Sequence, residues 1–280
     1  MRFAYSSNAY LNYTLEETLR RIAAMGYEGL ELLADVPHAW PAGLLEEQKA
    51  DIRRAIAESG LAISNVNAFM MNAVADPRQP YWYPSWIEPD PHYRAIRREH
   101  TMRALRLAAD LGAPSIQTEP GGPLEDGASR EAALTTFYDE FMPCVQLAEE
   151  VGVSLLIEPE PGLLIERFEQ YLEFVGRVDS PAVGLNFDIG HAFCVGEDPE
   201  NWVEPLSPHT RHYHIEDIAE NREHAHLIPG HGAVDLGAVL RQIGLTGYEG
   251  WVTVELYPYI DHPDEAGSEA LRYLHNLLGS

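Results

Sequence analysis

The sequence has almost no lysine and little positive charge. Lys49 is the only lysine in 280 residues, and 19 basic residues face 44 acidic ones, which gives a formal net charge of −25. A field of this sign repels nucleic acids and anionic membrane surfaces at long range. No dense run of Arg or Lys offers a local exception. The composition therefore predicts that the partner is neither nucleic acid nor membrane.

Cysteine is also scarce, and long apolar runs are missing. Cys144 and Cys194 lack CxxC spacing and are too few for a disulfide framework, so both are expected to be inert thiols. No run approaches the ~18 consecutive apolar residues of a membrane-spanning helix. The first residues, MRFAYSSNAY, lack the apolar stretch of a signal peptide. These features predict a reduced, cytoplasmic compartment.

Strand-like and helix-like segments alternate along the whole chain. The predicted strands are Phe3–Ser6, Gly29–Leu33, Ala62–Asn67, Ser115–Glu119, Ser154–Glu158, Val183–Asp188, Arg211–His214 and Trp251–Glu255. The predicted helices run from a cap at Thr14 to Gly26 and over Leu45–Glu58, Tyr93–Leu111, Arg130–Val151, Glu166–Val178, Pro199–Leu206, Asp235–Ile243 and Asp264–Leu278. This alternation predicts a parallel sheet whose outer face is covered by helices.

Eight strand–helix units favour closure of the sheet into an α/β (β/α)8 TIM barrel, whose typical length is ~250 residues. The rival is an open doubly wound sheet, which would carry a glycine-rich phosphate loop after its first strand. The corresponding loop reads SNAYLNY. No linker, low-complexity tract or longer repeat divides the chain, so residues 1–280 are predicted to form a single domain.

Four consecutive predicted strands end in an acidic or imidazole side chain. These residues are Glu158, Asp188, His214 and Glu255. The carboxyl ends of barrel strands meet at one face, where active sites lie, so the four groups are expected to converge. Carboxylates with an imidazole suit a divalent cation, and no lysine on these strands neutralises them. Asn67 and Glu119 end the third and fourth strands and add polar groups to the same pocket.

Further polar residues follow the same strands. The candidates near the barrel mouth are His191, Asp217, His224, His226 and His231, the last three on the Gly- and His-rich loop 221–235. An alternative reading needs no metal. In it, His212 and His214 alternate along their strand, one facing the barrel interior and the other facing the helices.

Five short motifs stand at or after these strand ends. They are IEP at Glu158, DxGH at Asp188–His191, HxxD at His214–Asp217, PGxG at Pro229–Gly232 and YxGxxxxEL from Tyr248 to Leu256. Together they resemble the xylose-isomerase-like TIM-barrel superfamily. This group includes sugar-phosphate isomerases, ketose 3-epimerases, hydroxypyruvate isomerases, inosose dehydratases and endonuclease IV. The resemblance covers nearly the whole chain and is strongest after residue 150.

The resemblance implies a sugar, sugar-phosphate or keto-polyol isomerase or epimerase that depends on one divalent metal ion. The strand-end residues Glu158, Asp188, His214 and Glu255 would hold the ion, with Mn²⁺ expected and Mg²⁺, Co²⁺ or Zn²⁺ as alternatives. Glu158 and Glu255 would also be the catalytic acid/base pair, acting next to the carbonyl of a small polyhydroxy substrate through an enediolate. Substrate contacts are assigned to His191, Asn67, Glu119, Asp217, Arg222, His231 and Trp86.

Other activities of the superfamily stay open. A metal-dependent dehydratase or lyase on a cyclic polyol or keto sugar would use the same chemistry. Ketose epimerases carry a substrate-binding Arg six residues after the strand-seven His, but here Glu220 has that position and Arg222 stands two residues further. An endonuclease IV-like phosphodiesterase is disfavoured, because Asn67 and Glu119 replace two of its histidine ligands and the net charge is −25.

The connection 69–92 is long and rich in proline and aromatic residues. Long loops in compact domains often cover an active site, and aromatic rings suit the apolar face of a sugar. The segment Tyr81–Trp86 is expected either to cover the pocket mouth, with Trp82 or Trp86 against a bound polyol, or to form a subunit interface. A homodimer or a homotetramer is compatible with the second reading, and the sequence does not choose between them.

Overall fold

In the computed structural model, eight parallel strands form a closed barrel. The structure describes residues 1–69, 73 and 82–279. The strands are β1 (Arg2–Ser6), β2 (Gly29–Leu33), β3 (Ala62–Asn67), β4 (Ser115–Thr118), β5 (Ser154–Ile157), β6 (Val183–Asp188), β7 (Thr210–Ile215) and β8 (Trp251–Val254). They follow chain order around the barrel, and β1 closes it by pairing with β8. The predicted TIM-barrel fold is confirmed.

Helices connect the strands around the outside of the barrel. They are α1 (Leu15–Met25), α2 (Glu46–Ser59), α3 (Pro91–Leu111), α4 (Arg130–Val151), α5 (Phe168–Val178), α6 (Ile189–Cys194), α7 (Pro199–Leu206), α8 (Leu236–Leu245) and α9 (Pro263–Leu278). The sequence predicted a loop where α6 lies. Asp188 caps this helix, because its carboxylate accepts a hydrogen bond from the His191 N–H. A helix of six residues is too short to show an apolar period.

Helix α1 shows how the local sequence sets these elements. The Thr14 side chain accepts a hydrogen bond from the Glu17 N–H and caps the helix. Leu19 and Ile22 are buried on its inner face. Gly26 ends the helix at a φ of 98°, a left-handed conformation that glycine adopts readily. The predicted start and end of this helix are both confirmed.

The interior of the barrel is polar near its carboxyl end. Layers of branched apolar side chains usually fill a TIM barrel. Here the strands contribute buried, hydrogen-bonded groups instead: Ser6, Glu31, Asn65, Gln117, Asn186, His212 and Thr253. The apolar core lies between the strands and the helices, as Leu30 and Leu32 of β2 illustrate. The polar layer supports the strand ends from below.

Two composition-based expectations can be compared with the structure. Cys144 and Cys194 are free, and burial raises the pKa of each thiol to about 12. Neither is a thiolate at neutral pH, which agrees with the expectation of inert thiols. Among the helices that the structure describes, none combines the length and hydropathy needed to cross a membrane.

Helix α9 packs closely on β1 at Gly267. A Cβ added there would collide with the ring of Tyr5. The Tyr27 hydroxyl also donates a hydrogen bond of 2.8 Å to the Gly267 carbonyl. The missing side chain therefore permits the close approach of this helix to the barrel.

We expect Gly267→Ala to lower the free energy of unfolding by about 1–3 kcal/mol, because the added methyl group overpacks the contact with Tyr5. Gly176→Ala is the matched control. Gly176 lies in α5 with no atom within 4 Å of an added Cβ. Its replacement should raise stability by up to ~1 kcal/mol through helix propensity. Urea unfolding of both variants measures the difference, and equal effects would contradict the packing argument.

Candidate metal centre

The four predicted ligands meet at the carboxyl end of the barrel. One ligand atom each from Glu158, Asp188, His214 and Glu255 lies within 4.8 Å of all the others. The Nδ1 atom of His214 lies 2.7 Å from Glu158 Oε1, 3.5 Å from Glu255 Oε2 and 3.6 Å from Asp188 Oδ2. All four side chains are buried. A single ring nitrogen thus faces three carboxylates.

Strand register produces this convergence. Asp188 and His214 are direct partners in the pairing of β6 with β7. Glu158 follows the last residue of β5, and Glu255 follows the last residue of β8. The Glu255 N–H donates to the Ile215 carbonyl at 3.3 Å, which continues the β7–β8 ladder past the strand end. The side chains therefore stand on rigid elements.

The second nitrogen of His214 contacts a carboxylate that the sequence analysis missed. Nε2 lies 2.8 Å from Glu31 Oε2 on β2. Burial opposes ionisation of Glu31, but the contact with His214 outweighs it and lowers the pKa of Glu31 to about 2. Glu31 stands between Leu30 and Leu32, so the period of two places it inside the barrel. The period of two therefore indicates an interior Glu31, but it does not indicate that a histidine of another strand is its partner.

The reading in which His212 and His214 face opposite sides of their strand is wrong. Alternate residues of a strand share one face. Both rings lie inside the barrel, with centroids 5.2 Å apart. His212 contacts Asn186 Oδ1 at 2.8 Å and Thr253 Oγ1 at 2.7 Å. It therefore belongs to the polar layer below the cluster.

Each candidate catalytic glutamate has one oxygen anchored and one directed at the cluster. Gln117 donates to Glu158 Oε2 at 3.0 Å. Asn8 and Asn67 donate to Glu255 Oε1 at 2.8 and 3.3 Å. Amide donors hold both carboxylates in one orientation. Asn67 is thus brought to the site, through Glu255.

The cluster holds more carboxylates than cations. Burial raises the pKa of Glu158 and holds the pKa of Glu255 well above its usual range. Burial lowers the pKa of His214. The negative charges of Glu31, Glu255 and Glu158 have a larger effect and raise that pKa above its usual range. Asp188 Oδ2 is buried and receives no hydrogen bond from the described residues. An orphaned carboxylate oxygen and an excess of negative charge are what a divalent cation would neutralise, so the donor set fits a metal.

Three further histidines stand against the cluster. The His191 N–H donates to Asp188 Oδ1 at 2.7 Å, and its Nδ1 donates to the Pro159 carbonyl at 3.0 Å. Burial lowers the pKa of His191, but Asp188 and Glu160 outweigh it and raise the value to about 9. The rings of His224 and His226 lie 4.6 and 5.6 Å from that of His191. Loop 221–235 thus brings two of its three histidines to the site.

Two buried acidic residues near the cluster were not predicted. Glu160 Oε1 lies 3.6 Å from His224 Nδ1, and Glu160 also lines the cavity above the cluster. Glu216 accepts a hydrogen bond from the Gly190 N–H at 2.7 Å. Burial holds the pKa of Glu216 well above its usual range. Each stands two residues after a strand-end ligand, Glu160 after Glu158 and Glu216 after His214, and no sequence pattern distinguishes them from surface glutamates.

Asp217 and His231 have partners outside the cluster. The Asp217 carboxylate accepts hydrogen bonds from the N–H groups of Gly230 and Val234, at 2.9 and 3.1 Å. His231 contacts Glu269 on α9 at 3.0 Å, and its side chain is 49% exposed. Asp217 organises the loop after β7, and His231 attaches that loop to α9. The structure does not bring either into the ligand cluster.

The side chain of Arg222 packs against the C-terminal end of α6. Its Nη1 donates to the Phe193 carbonyl at 2.7 Å, and its guanidinium lies over the Phe193 ring at 4.3 Å. Arg222 has a φ of 61°, in the left-handed region that few non-glycine residues adopt. These contacts hold the side chain on α6, where no ligand atom of the cluster contacts it.

Trp86 and Glu119 hold the segment around residue 86 against the chain that follows β4. Trp86 is fully buried and packs on Phe137 and Phe141. Its N–H donates to Glu119 at 3.1 Å, and Glu119 also accepts from the Gly121 N–H at 2.7 Å. The sequence predicts that Trp86 contacts a bound polyol. In the structure its ring is instead fully buried and packs in the core.

Within the predicted lid segment Tyr81–Trp86, only Tyr81 lies outside the described residues. Trp82 is half-buried, and its ring lies 6.3 Å from that of Tyr83. Its contact with a bound polyol stays a prediction.

A small cavity lies directly above the cluster, with a volume of about 20 Å³. Its described lining residues are Asn67, Phe69, Glu158, Glu160, His191, His226, Glu255 and Tyr257. This volume suits one ion or water molecule. None of these lining residues is Lys or Arg. A sugar-sized ligand therefore requires the covering side chains to move.

A family model described as xylose isomerase-like TIM barrel matches residues 19–277. The chain belongs to this family. Fructoselysine 3-epimerase of Escherichia coli O157:H7 is 25% identical over 271 residues, 94% of each chain. Inosose dehydratase of Clostridium beijerinckii is 24% identical over 226 residues, 71% of this chain and 76% of that one. The crystal structure of the IOLI protein with a binding zinc atom has a TM-score of 0.78 at 21% identity, covering 100% and 98% of the two chains.

We expect the protein to bind one divalent ion per chain when it is dialysed against Mn²⁺. Because the ion would bind only the folded cluster, it should also raise the midpoint of thermal unfolding. His214→Ala should lose the bound ion. His231→Ala is the control, since His231 lies on the surface beside Glu269, and it should bind like the wild type. Elemental analysis measures the stoichiometry, and a His214→Ala variant that retains the ion would exclude this cluster as the site.

Proposed function

We propose that this protein is a divalent-metal-dependent isomerase or epimerase of a small, uncharged polyhydroxy carbonyl compound. One observation carries the proposal. Two buried glutamates, Glu158 and Glu255, reach the ligand cluster from different strands, each with one oxygen anchored by amide donors and the other directed inward. Such a pair can exchange protons with two sides of one substrate.

The metal would be held by the strand-end cluster of Glu158, Asp188, His214 and Glu255, with Mn²⁺ as the expected ion. A divalent ion at this position would polarise the oxygens of an α-hydroxy carbonyl and stabilise negative charge as it develops. The Asp188 oxygen that receives no hydrogen bond from the described residues, together with the excess of carboxylates, supports this assignment. The IOLI protein, which has the same fold, binds a zinc atom in its crystal structure, and this supports a divalent ion here.

The glutamates would carry out the proton transfers. Burial raises the pKa of both, which brings a carboxylate closer to the range where it can accept and return a proton at neutral pH. One glutamate removes the proton from the carbon next to the carbonyl, and the substrate becomes an enediolate. The other returns a proton to the opposite face in an epimerase, or to the neighbouring carbon in an isomerase.

His191 would orient the substrate. Its Nδ1 proton is committed to the Pro159 carbonyl, and the ring borders the cavity next to Asp188. The remaining nitrogen, Nε2, lies 3.7 Å from Asp188 Oδ2 and is the edge that a substrate oxygen could approach. A ring fixed in this way fits the binding role proposed for it.

The charge of the lining favours an uncharged substrate. Three glutamates and no Lys or Arg stand among the described residues around the cavity. A phosphate or carboxylate group would be disfavoured there, because among the described lining residues three glutamates outnumber the one cationic side chain, His191. A free ketose, aldose or keto-polyol therefore fits better than a sugar phosphate. The fructoselysine 3-epimerase relative supports the epimerase form of the proposal.

A dehydratase is the second candidate, favoured by the inosose dehydratase relative. Its chemistry would begin with the same removal of a proton by Glu158 or Glu255. It would then need an acid to protonate a departing hydroxyl group, and His191 is placed to do so. NMR of the products separates the two activities, since a dehydratase releases water and leaves an unsaturated or deoxy carbonyl compound.

Replacement of Glu158 or Glu255 by Gln should greatly reduce turnover but retain much of the metal affinity. We expect Glu158→Gln and Glu255→Gln to lower turnover of the best neutral sugar by roughly 10²–10⁴-fold, because Gln keeps an oxygen but cannot act as the base. Metal affinity should fall less than in His214→Ala. Glu269→Gln is the control, and it should have wild-type turnover. If both Gln variants are fully active, these glutamates are ligands only and the proposed chemistry is wrong.

A further inference from the structure

We propose that Glu31 is the positioning residue that fixes the tautomer of His214 and leaves its Nδ1 free to bind the metal. The inference rests on the proposed metal site. Glu31 stands in the middle of β2, away from the strand-end positions that supply the ligands. It touches the cluster only through His214, at 2.8 Å from Nε2.

The Glu31 carboxylate is held so that it cannot turn away. The Ser6 hydroxyl donates to Oε1 at 2.7 Å, and Asn65 donates to Oε2 at 3.0 Å. The side chain has no exposed surface. Both oxygens are therefore engaged, and Oε2 presents an acceptor to the ring of His214.

With a metal ion on Nδ1, this acceptor would hold the ring proton on Nε2. A neutral imidazole has one donor and one acceptor nitrogen. A hydrogen bond from Nε2–H to Glu31 leaves the lone pair on Nδ1, which is the nitrogen that faces Glu158, Asp188 and Glu255. Carboxylates that receive the second N–H of a ligand histidine fix its tautomer and raise its basicity.

A second contact agrees with this assignment. The amide nitrogen of Asn186 lies 3.2 Å from His214 Nδ1, and the Asn186 oxygen faces His212 at 2.8 Å. The amide nitrogen of Gln117 lies 3.5 Å from Nε2, so the nearer of the two amide donors faces the nitrogen that the proposal leaves unprotonated. If residue 31 offered no acceptor, the proton could instead occupy Nδ1 and point at Glu158, which would remove this nitrogen from the ligand set.

Two substitutions of Glu31 and one control test the proposal. Glu31→Leu removes the acceptor, and Glu31→Gln keeps an oxygen without the charge. Thr210→Ala is the control, since it removes a buried hydrogen bond of 2.9 Å to the Leu206 carbonyl at the far end of β7 and contacts neither Glu31 nor its partners. We expect Zn²⁺ affinity to fall roughly 10–100-fold in Glu31→Leu. It should fall several-fold in Glu31→Gln and stay unchanged in Thr210→Ala.

The tautomer itself is read by NMR of the Zn²⁺-loaded protein with ¹⁵N-labelled histidine, using His214→Ala to assign the ring. The wild type should carry its proton on Nε2, and Glu31→Gln should retain it there. A proton on Nδ1 in the wild type overturns the proposal. So does a folded Glu31→Leu variant that binds Zn²⁺ like the wild type. If Glu31→Leu does not fold, Glu31→Gln replaces it, and an affinity equal to that of Thr210→Ala overturns the proposal.

These readouts do not depend on turnover. A wild type that binds Zn²⁺ through His214 but converts no sugar contradicts the proposed function and leaves the role of Glu31 intact. Normal metal affinity in the Glu31 variants, together with an active wild type, contradicts only the role of Glu31.

Discussion

Buried negative charge around one imidazole is the constraint on which the rest of the site depends. Glu31, Glu158, Asp188 and Glu255 all reach His214 from inside the barrel. Each buried carboxylate costs several kcal/mol unless donors or cations compensate it. Amide donors from other strands compensate part of the charge, and the imidazole compensates another part. A divalent cation would complete the neutralisation at the point where the three strand-end carboxylates meet.

The polar interior of the barrel follows from that constraint. An apolar layer below the cluster could not anchor Glu158, so Gln117 takes the place of a branched side chain there and donates to it. Asn8, in the turn that follows β1, donates to Glu255. The same layer holds His212 against Asn186 and Thr253. The hydrophobic core is displaced outward, between strands and helices, where it stabilises the barrel without contacting the site. The outward faces of the strands thus carry the stabilising apolar core, and their inward faces carry the residues of the site.

Much of this arrangement was predictable because strand ends of a parallel barrel meet at one face. The alternation of segments predicted the fold, and the convergence of the four strand-end residues followed from it. Glu31 was missed because it lies in mid-strand, where its role depends on a partner 183 residues away. The burial of Trp86 depends on Phe137 and Phe141, which only the tertiary fold brings to it. Local patterns place residues on elements, but they do not reveal contacts between distant elements.

Proton transfer at the carbon next to a carbonyl is the central claim, and deuterium incorporation tests it most directly. The Mn²⁺-loaded protein converts its best neutral sugar in D₂O, and NMR locates the label in the product. Because one glutamate removes the hydrogen and the other returns one, the returned atom comes from a carboxylate that exchanges with solvent. The account predicts deuterium on the carbon next to the carbonyl, with little in a Glu255→Gln reaction. A product that retains its original hydrogen at that carbon would contradict it.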